Sequence, residues 1–140
     1  MAGQGHDVVV TGSAGERELA GRVARAAGLP PTAVLAGRTG LGELAALVAH
    51  ARLVISGDTG IAHLATGYGT PSVVLFGPVP PRRWGPPPDR ARHRPIWHGT
   101  RAERGDTLDP GVHPALLRVG VDEVLAAAGD AERARHAVAS

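Results

Sequence analysis

Two short apolar runs organise the hydrophobic pattern of this chain. The first, Leu53–Ile55, precedes a glycine-bracketed polar turn at 56–60, a helical stretch at 61–66 and a small-residue turn at 67–71; the second is Ser72–Phe76. A strand, tight turn, helix and strand in this length predict a βαβ unit with parallel strands. Ligands of such sheets lie beyond the carboxyl ends of the strands, where residues 58–60 and 77–78 are expected.

The preceding residues repeat this pattern. Asp7–Thr11 is predicted as a strand, 12–15 as a turn, and Glu16–Ala27 as a helix with Leu19 and Val23 on one side, ended by a glycine. A short strand is expected at 32–36, and an amphipathic helix at 41–51. Alternating strands and helices indicate an α/β fold with a parallel sheet.

The amino-acid composition of the chain changes after Phe76. Residues 77–112 are rich in proline and arginine and are predicted as a loop region, polar from 101 to 111, with a short strand at 96–98. Short helices are expected at 114–118 and 121–128, and residues 131–140 either extend the second helix or fray. We therefore predict one domain over 1–140, with an α/β core at 1–76, the loop region at 77–112 and C-terminal helices at 113–140.

The turn after the first apolar run carries the candidate chemistry. Gly57 and Gly60 allow a sharp turn and close approach of a ligand, and the start of the following helix favours an anion such as a diphosphate. Asp58 cannot attract phosphate, but its carboxylate can accept hydrogen bonds from sugar hydroxyls. His63 lies four residues after Thr59, on the same helix face, and could donate to the same ligand. In the competing interpretation, Asp58 or Thr59 only caps the helix and His63 packs against the sheet.

A family resemblance favours the binding interpretation. Residues 56–65 have the sequence SGDTGIAHLA, followed by GTP at 69–71, LFGP at 75–78 and RWGP at 83–86. This combination resembles the C-terminal part of glycosyltransferase family 9, the heptosyltransferases of lipopolysaccharide core synthesis and their relatives. The resemblance implies a Rossmann-like parallel sheet with flanking helices, the C-terminal half of a glycosyltransferase B fold, here lacking its first strand and helix.

The resemblance also implies an activity and residue roles. The reaction would be inverting transfer of a sugar from a nucleotide-diphosphate donor, typically ADP-heptose, to a glycan or glycolipid acceptor, with no metal ion or other cofactor. Asp58 would hold the donor sugar, Thr59 and Gly60 the diphosphate, and His63 would lie beside the donor. The general base is expected in an N-terminal domain that this sequence does not contain, so no catalytic residue is assigned.

Further candidates lie outside this turn. By the resemblance, an acidic residue of the segment after 11 contacts the donor ribose; Glu16 is preferred slightly to Glu18, although either carboxylate could simply complement a helix dipole. Ser13 in the preceding turn is a further donor-binding candidate. By the same resemblance, Arg38 and Thr39 would lie near the nucleotide base of the donor; alternatively, they only form a solvated turn. Arg82, Arg83 and Trp84 could border the donor site, or their segment could only wrap the sheet edge.

Composition excludes several classes of protein. The 140 residues contain no cysteine and no lysine, carry a formal net charge of +2 and are 43% hydrophobic but only 3% aromatic, so the core is expected to be built from Ala, Val and Leu. Disulfides and thiolate metal sites are excluded, and scarce aromatics disfavour nucleic-acid binding. The irregularly spaced His93, His98 and His113 suggest no metal site. With no long apolar run or signal peptide, a cytoplasmic location is expected, with peripheral contact at the inner face of a membrane as an option.

Other functions remain open from the sequence. The chain could be a non-catalytic nucleotide-sugar-binding fragment or remnant that needs a partner domain. A nucleotide-sugar epimerase shares the two-domain architecture, but the DTGxxH pattern at 58–63 argues against it. The missing first strand would leave a sheet edge exposed, which predicts pairing with a partner domain or a second copy of the chain.

Overall fold

The computed structural model describes residues 5–88, 90–100 and 111–137, except the ring of His136. The chain divides into two compact units, Met1–Leu44 and Ala45–Ser140, called here the N-terminal and C-terminal units. Most of the predicted polar stretch 101–111 and the last three residues of the predicted C-terminal extension lie outside the described residues. In the described ranges, no helix is long and apolar enough to cross a membrane.

The C-terminal unit contains a parallel sheet. Its three strands, counted among the described residues, are β1 (Val54–Gly57), β2 (Ser72–Phe76) and β3 (His93–Trp97), in the order β1-β2-β3. Because the strands are parallel and in register, their carboxyl ends meet at one edge, followed by residues 58, 77 and 98. We call this the carboxyl edge. The predicted βαβ unit is confirmed, with helix α3 (Gly60–Tyr68) joining β1 to β2.

The sheet of this unit is covered on both faces. Val74 and Phe76 pack with Ala62 of α3, whereas Val73 packs with Ala128 of helix α6 (Val121–Ala137). Since successive strand residues point to opposite faces, α3 and α6 lie on opposite sides of β2. This explains why β2 is apolar almost throughout, as parallel strands buried on both faces are. Phe76, the single phenylalanine of the chain, is fully buried.

The region 77–112 is not a loop throughout. It contains helix α4 (Pro81–Trp84) and strand β3, which begins three residues before the predicted strand at 96–98. Pro95 lies inside β3 opposite Val74, which is tolerated because β3 is an edge strand of the sheet formed by the described residues. The C-terminal helices are α5 (Pro114–Leu117) and α6; α6 extends past the predicted 128 to Ala137.

The N-terminal unit contains the 3₁₀ turn Ala14–Glu16, helix α1 (Arg17–Ala26), the 3₁₀ turn Pro31–Ala33 and the start of helix α2 (Leu41–His50). α1 buries Ala20 and Ala24, while Leu19 and Val23 are about half exposed. The helix ends at Ala26, one residue before the predicted end, and the predicted terminating glycine, Gly28, follows with a φ of +68°.

The two strands predicted in the N-terminal unit are wrong as extended elements. Among described residues 5–44, they are reduced to one parallel bridge between Val10 and Val34, with the Val10 N–H donating to Ala33 O at 2.9 Å. For the second of them the reason lies in Pro30 and Pro31, whose fixed φ and missing N–H groups favour a 3₁₀ turn over a paired strand. That turn takes up residues 31–33, so the pairing begins only at the end of it, where the Leu35 N–H also donates to Val10 O at 2.8 Å.

Candidate functional site

The candidate site at the carboxyl edge is built on the N-terminus of α3. Thr59 is the N-cap residue, with extended backbone (φ −139°, ψ 175°), and its hydroxyl makes no capping hydrogen bond to this fully described helix. The Ala62 N–H donates to Thr59 O at 3.0 Å, so the N–H groups of Gly60 and Ile61 precede the first helical bond. The end of the helix therefore offers amide donors and a hydroxyl that makes no hydrogen bond with a residue that the structure describes.

Two polar side chains adjoin this helix end without local partners. Asp58 and His63 are exposed, and neither makes a hydrogen bond or ion pair with a residue that the structure describes. The competing interpretation holds only in part: Thr59 occupies the N-cap position, but its hydroxyl makes no capping hydrogen bond, and His63 is exposed rather than packed against the sheet. A carboxylate acceptor, a hydroxyl, an imidazole and helix amides gather within six residues of one turn, which is suited to a polar, partly anionic ligand.

The two glycines of this turn are not required by the protein's own packing. A Cβ on Gly57 would meet Leu75 O and Thr59 Cγ2 only at 4.0 Å, and a Cβ on Gly60 would have no described atom within 4 Å. Neither glycine has a positive φ. The sharp-turn requirement predicted for them is therefore absent in this conformation, and the space beside Gly60 is open.

The rest of the carboxyl edge is engaged in packing. Gly77, after β2, faces the side chain of Leu116 in α5, whose Cδ1 would lie 3.6 Å from a Cβ added to the glycine. After β3, His98 Nε2 lies 2.8 Å from Glu123 Oε2 in the first turn of α6, and Arg118 donates to His98 O at 2.8 Å. The sequence predicted His98 as the last residue of a short strand and assigned it no function; β3 ends one residue earlier, at Trp97, which places His98 at this edge.

The remaining candidates lie in the N-terminal unit, where Glu16 has a structural role. The Ser13 N–H donates to Glu16 Oε2 at 2.7 Å, and the two residues form a capping box. Hydrogen bonds from Ser13 lower the pKa of Glu16 below its usual value. The neighbouring Glu18 is exposed and makes no hydrogen bond or ion pair within the described part of the chain. The ribose contact expected from Glu16 or Glu18 stays a prediction.

Two loops of the N-terminal unit are held close together. The Gly37 N–H donates to Gly12 O at 2.9 Å, and Arg17 Nε donates to Ala36 O at 3.2 Å. Gly37 has a φ of +68°, and a Cβ there would lie 2.7 Å from the Cα of Ala14. These contacts place the turn containing Ser13 beside the loop containing Arg38, which is exposed.

The sequence of these turns and the fold agree with one family. The model of glycosyltransferase family 9 (heptosyltransferase) matches residues 1–109. The chain belongs to glycosyltransferase family 9. A solved structure of E. coli ADP-heptose LPS heptosyltransferase II matches with a TM-score of 0.74 and 27% identity, over 96% of this chain and 39% of the other. The predicted resemblance and fold class are thereby confirmed.

Curated relatives of this family 9 chain are named heptosyltransferases. Lipopolysaccharide heptosyltransferase 1 of Pseudomonas aeruginosa is 49% identical over 70 residues, which cover 50% of this chain and 19% of the relative. Lipopolysaccharide heptosyltransferase 2 of Salmonella typhimurium is 30% identical over 129 residues, covering 89% of this chain and 37% of the relative. The chain thus spans between about a fifth and about two fifths of the proteins it matches.

The three histidines weighed as metal ligands each have a local partner in this family 9 chain. His93 Nδ1 lies 2.9 Å from Ser72 Oγ, His98 pairs with Glu123, and His113 Nδ1 accepts from the Ala115 N–H at the start of α5. Across the part of the chain that the structure describes, no group of three or more His, Asp or Glu side chains could hold a metal ion.

Proposed function

We propose that this chain is the donor-binding part of a heptosyltransferase-like glycosyltransferase. It would bind a nucleotide-diphosphate sugar, with ADP-heptose as the first candidate, for inverting transfer to a glycan or glycolipid acceptor. The observation that carries the proposal is the set of uncommitted polar groups at the N-terminus of α3. Membership of family 9 supports the reaction class.

The proposed roles follow from charge. The N–H groups at the start of α3 and the positive end of its dipole stabilise a diphosphate, and the Thr59 hydroxyl can donate to it. Asp58 would repel phosphate, so its carboxylate is assigned to the hydroxyls of the donor sugar, from which it accepts hydrogen bonds. His63, one turn along the same helix, donates to the same ligand.

The transfer step requires a base beside the acceptor hydroxyl. The acceptor oxygen attacks the anomeric carbon and forms the new glycosidic bond, the bond from that carbon to the diphosphate oxygen breaks, and a base takes the hydroxyl proton. We assign no base to this chain and propose that it comes from an acceptor-binding domain. The helix amides stabilise the charge that develops on the leaving diphosphate. Ser13 and Arg38 are retained as candidate nucleoside contacts.

Calorimetric titration tests the donor site. The purified chain is titrated with ADP, UDP, GDP and ADP-heptose, in parallel with Asp58→Ala. We expect ADP-heptose to bind more tightly than ADP, because the sugar adds contacts with Asp58. Asp58→Ala should lower the affinity for ADP-heptose roughly tenfold to a hundredfold and leave ADP binding nearly unchanged.

A matched control separates the local role of Asp58 from a general charge effect. Asp130→Asn removes an exposed carboxylate of α6 that pairs with Arg133, and it should leave both affinities unchanged. If Asp58→Ala weakened ADP and ADP-heptose equally, the assignment of Asp58 to the sugar would be wrong. If the folded chain bound none of the four ligands, the donor-binding proposal would fail.

Each alternative function predicts a different experimental result. A non-catalytic binding module would bind donor but give no transfer when an acceptor domain and acceptor are supplied, whereas the proposed enzyme part would restore turnover. Release of free epimerised sugar would favour an epimerase. Independence from metal ions is part of the proposal, and unchanged donor binding in a chelator is the expected result. The cytoplasmic location and any peripheral membrane contact also stay proposals.

A further inference from the structure

A concave site lies at the other end of α3, where this helix ends and β3 begins. A cavity of about 370 Å³ opens there, lined by residues 66–69 and 90–93. One wall is the last turn of α3, closed by Gly69 with a φ of +69°; the other is the chain that enters β3. Ligand cavities in proteins usually have volumes of about 300–1,000 Å³, so this one is suited to a small ligand.

Two arginines converge on this cavity. Arg90 Nη1 donates to Thr66 O at 3.3 Å, and Arg92 Nη1 donates to Gly69 O at 3.1 Å. These bonds hold both guanidinium groups against the end of α3. A guanidinium has five N–H donors, so each retains donors beyond its bond to the helix carbonyl. None of the described lining residues is acidic.

A buried histidine forms the inner wall. His93 is 4% exposed, its Nδ1 lies 2.9 Å from Ser72 Oγ, and its Nε2 is buried with no hydrogen-bond partner among the described atoms. Burial, followed by the positive charges of Arg92 and Arg90, lowers the pKa of His93 below 6.5. The imidazole is therefore neutral at physiological pH, and the positive charge at the cavity belongs to the arginines.

Helix capping accounts for only part of this arrangement. Arginine donors near a helix C-terminus satisfy its last carbonyls and complement its dipole, and one donor from each side chain suffices for that. Capping does not require two guanidinium groups to face one concave space. We propose that this cavity binds a small phosphorylated ligand, with Arg90 and Arg92 holding its phosphate oxygens by charge-assisted hydrogen bonds.

NMR titration of the full chain tests the proposal, with inorganic phosphate and glucose 6-phosphate as probes at constant ionic strength. We expect saturable shifts at the amides of residues 66–69 and at the His93 ring. Arg90→Gln and Arg92→Gln should each weaken binding roughly tenfold or more. Tighter binding of glucose 6-phosphate would identify a phosphate ester as the ligand, and equal binding would identify the phosphate group alone.

The control variant is Arg135→Gln, which removes an exposed arginine of α6 that does not line the cavity. Equal weakening by Arg135→Gln, or shifts that never saturate, would overturn the proposal. Shifts confined to residues 59–63 would place phosphate at the N-terminus of α3 instead, and would also overturn it. Arg90→Lys keeps the positive charge but loses the planar fork; it should bind with intermediate affinity, so a loss of folding in one variant leaves the test intact.

The proposal for this cavity and the proposal for the donor site can be disproved independently. Asp58→Ala should leave the shifts of residues 66–69 unchanged, and Arg92→Gln should leave ADP-heptose binding unchanged. Loss of both responses in either variant would contradict the assignment of two sites.

Discussion

The turns before α1 and α3 both combine glycines with polar residues, but the polar groups of the two turns differ in their hydrogen-bond partners. In the first, Ser13 and Glu16 close a capping box, and the pKa of Glu16 is lowered by that contact. In the second, Asp58 makes no hydrogen bond or ion pair with a residue in the described ranges, and the Thr59 hydroxyl does not cap its helix. The first turn uses its polar groups to hold the fold, whereas the second has them available for a ligand.

The glycines show the same difference. In the N-terminal unit, Gly37 is required, since a Cβ would lie 2.7 Å from the Cα of Ala14 at a φ of +68°. In the turn before α3, a Cβ on Gly60 would meet no described atom within 4 Å. Substitutions in the N-terminal unit should therefore change stability, and substitutions in the turn before α3 should change binding.

The largest stability effect is expected from Gly37→Ala. The left-handed backbone and the clash with Ala14 together should cost about 2–4 kcal/mol of unfolding free energy. Urea unfolding followed by circular dichroism measures this cost. Gly28→Ala is the matched control, because Gly28 has the same φ of +68° but no described neighbour within 4 Å of its Cβ position. An equal cost for both variants would show that the close approach to Ala14 contributes nothing.

How far the sequence predicted these features depended on how local they are. The unit from β1 to β2 was predicted because its apolar runs and turn are contiguous in the chain. The Ser13-x-x-Glu16 spacing of a capping box was also present in the sequence and would have favoured a structural role for Glu16. The start of β3 was missed because proline and charged residues hide its pattern. The cavity beside Arg90 and Arg92 could not be predicted, since it joins segments more than twenty residues apart.

A smaller, binding-specific effect is expected from Gly60→Ala. The added methyl has open space within the protein, so the unfolding free energy should change by no more than about 0.5–1 kcal/mol, in the stabilising direction. The same methyl would narrow the space for a diphosphate, so ADP affinity should fall roughly tenfold, measured by calorimetry. Gly67→Ala, also in open space on α3, should leave ADP affinity unchanged. Unchanged ADP binding in Gly60→Ala would move the diphosphate away from this helix end.

The smallest effect is expected from the carboxylate of the first turn. Hydrogen bonds from Ser13 hold the pKa of Glu16 below its ordinary value of 4.5, so the unfolded chain takes up this proton first as the pH falls. The stabilisation is therefore complete above about pH 4.5 and is lost as the pH falls through the folded pKa. Because Glu16 is exposed, the change in Tm should be small.

Glu16→Gln isolates this contribution, because glutamine can keep the capping contact but does not titrate in this range. Thermal unfolding between pH 6 and pH 3 should show a slightly shallower fall of Tm for Glu16→Gln than for the natural sequence. At pH 7, Asp58→Asn in the second turn should leave Tm unchanged, because its carboxylate makes no hydrogen bond or ion pair with a residue that the structure describes. A fall in Tm for Asp58→Asn as large as that for Glu16→Gln at this pH would mean that both carboxylates stabilise the fold, and the contrast between the two turns would be lost.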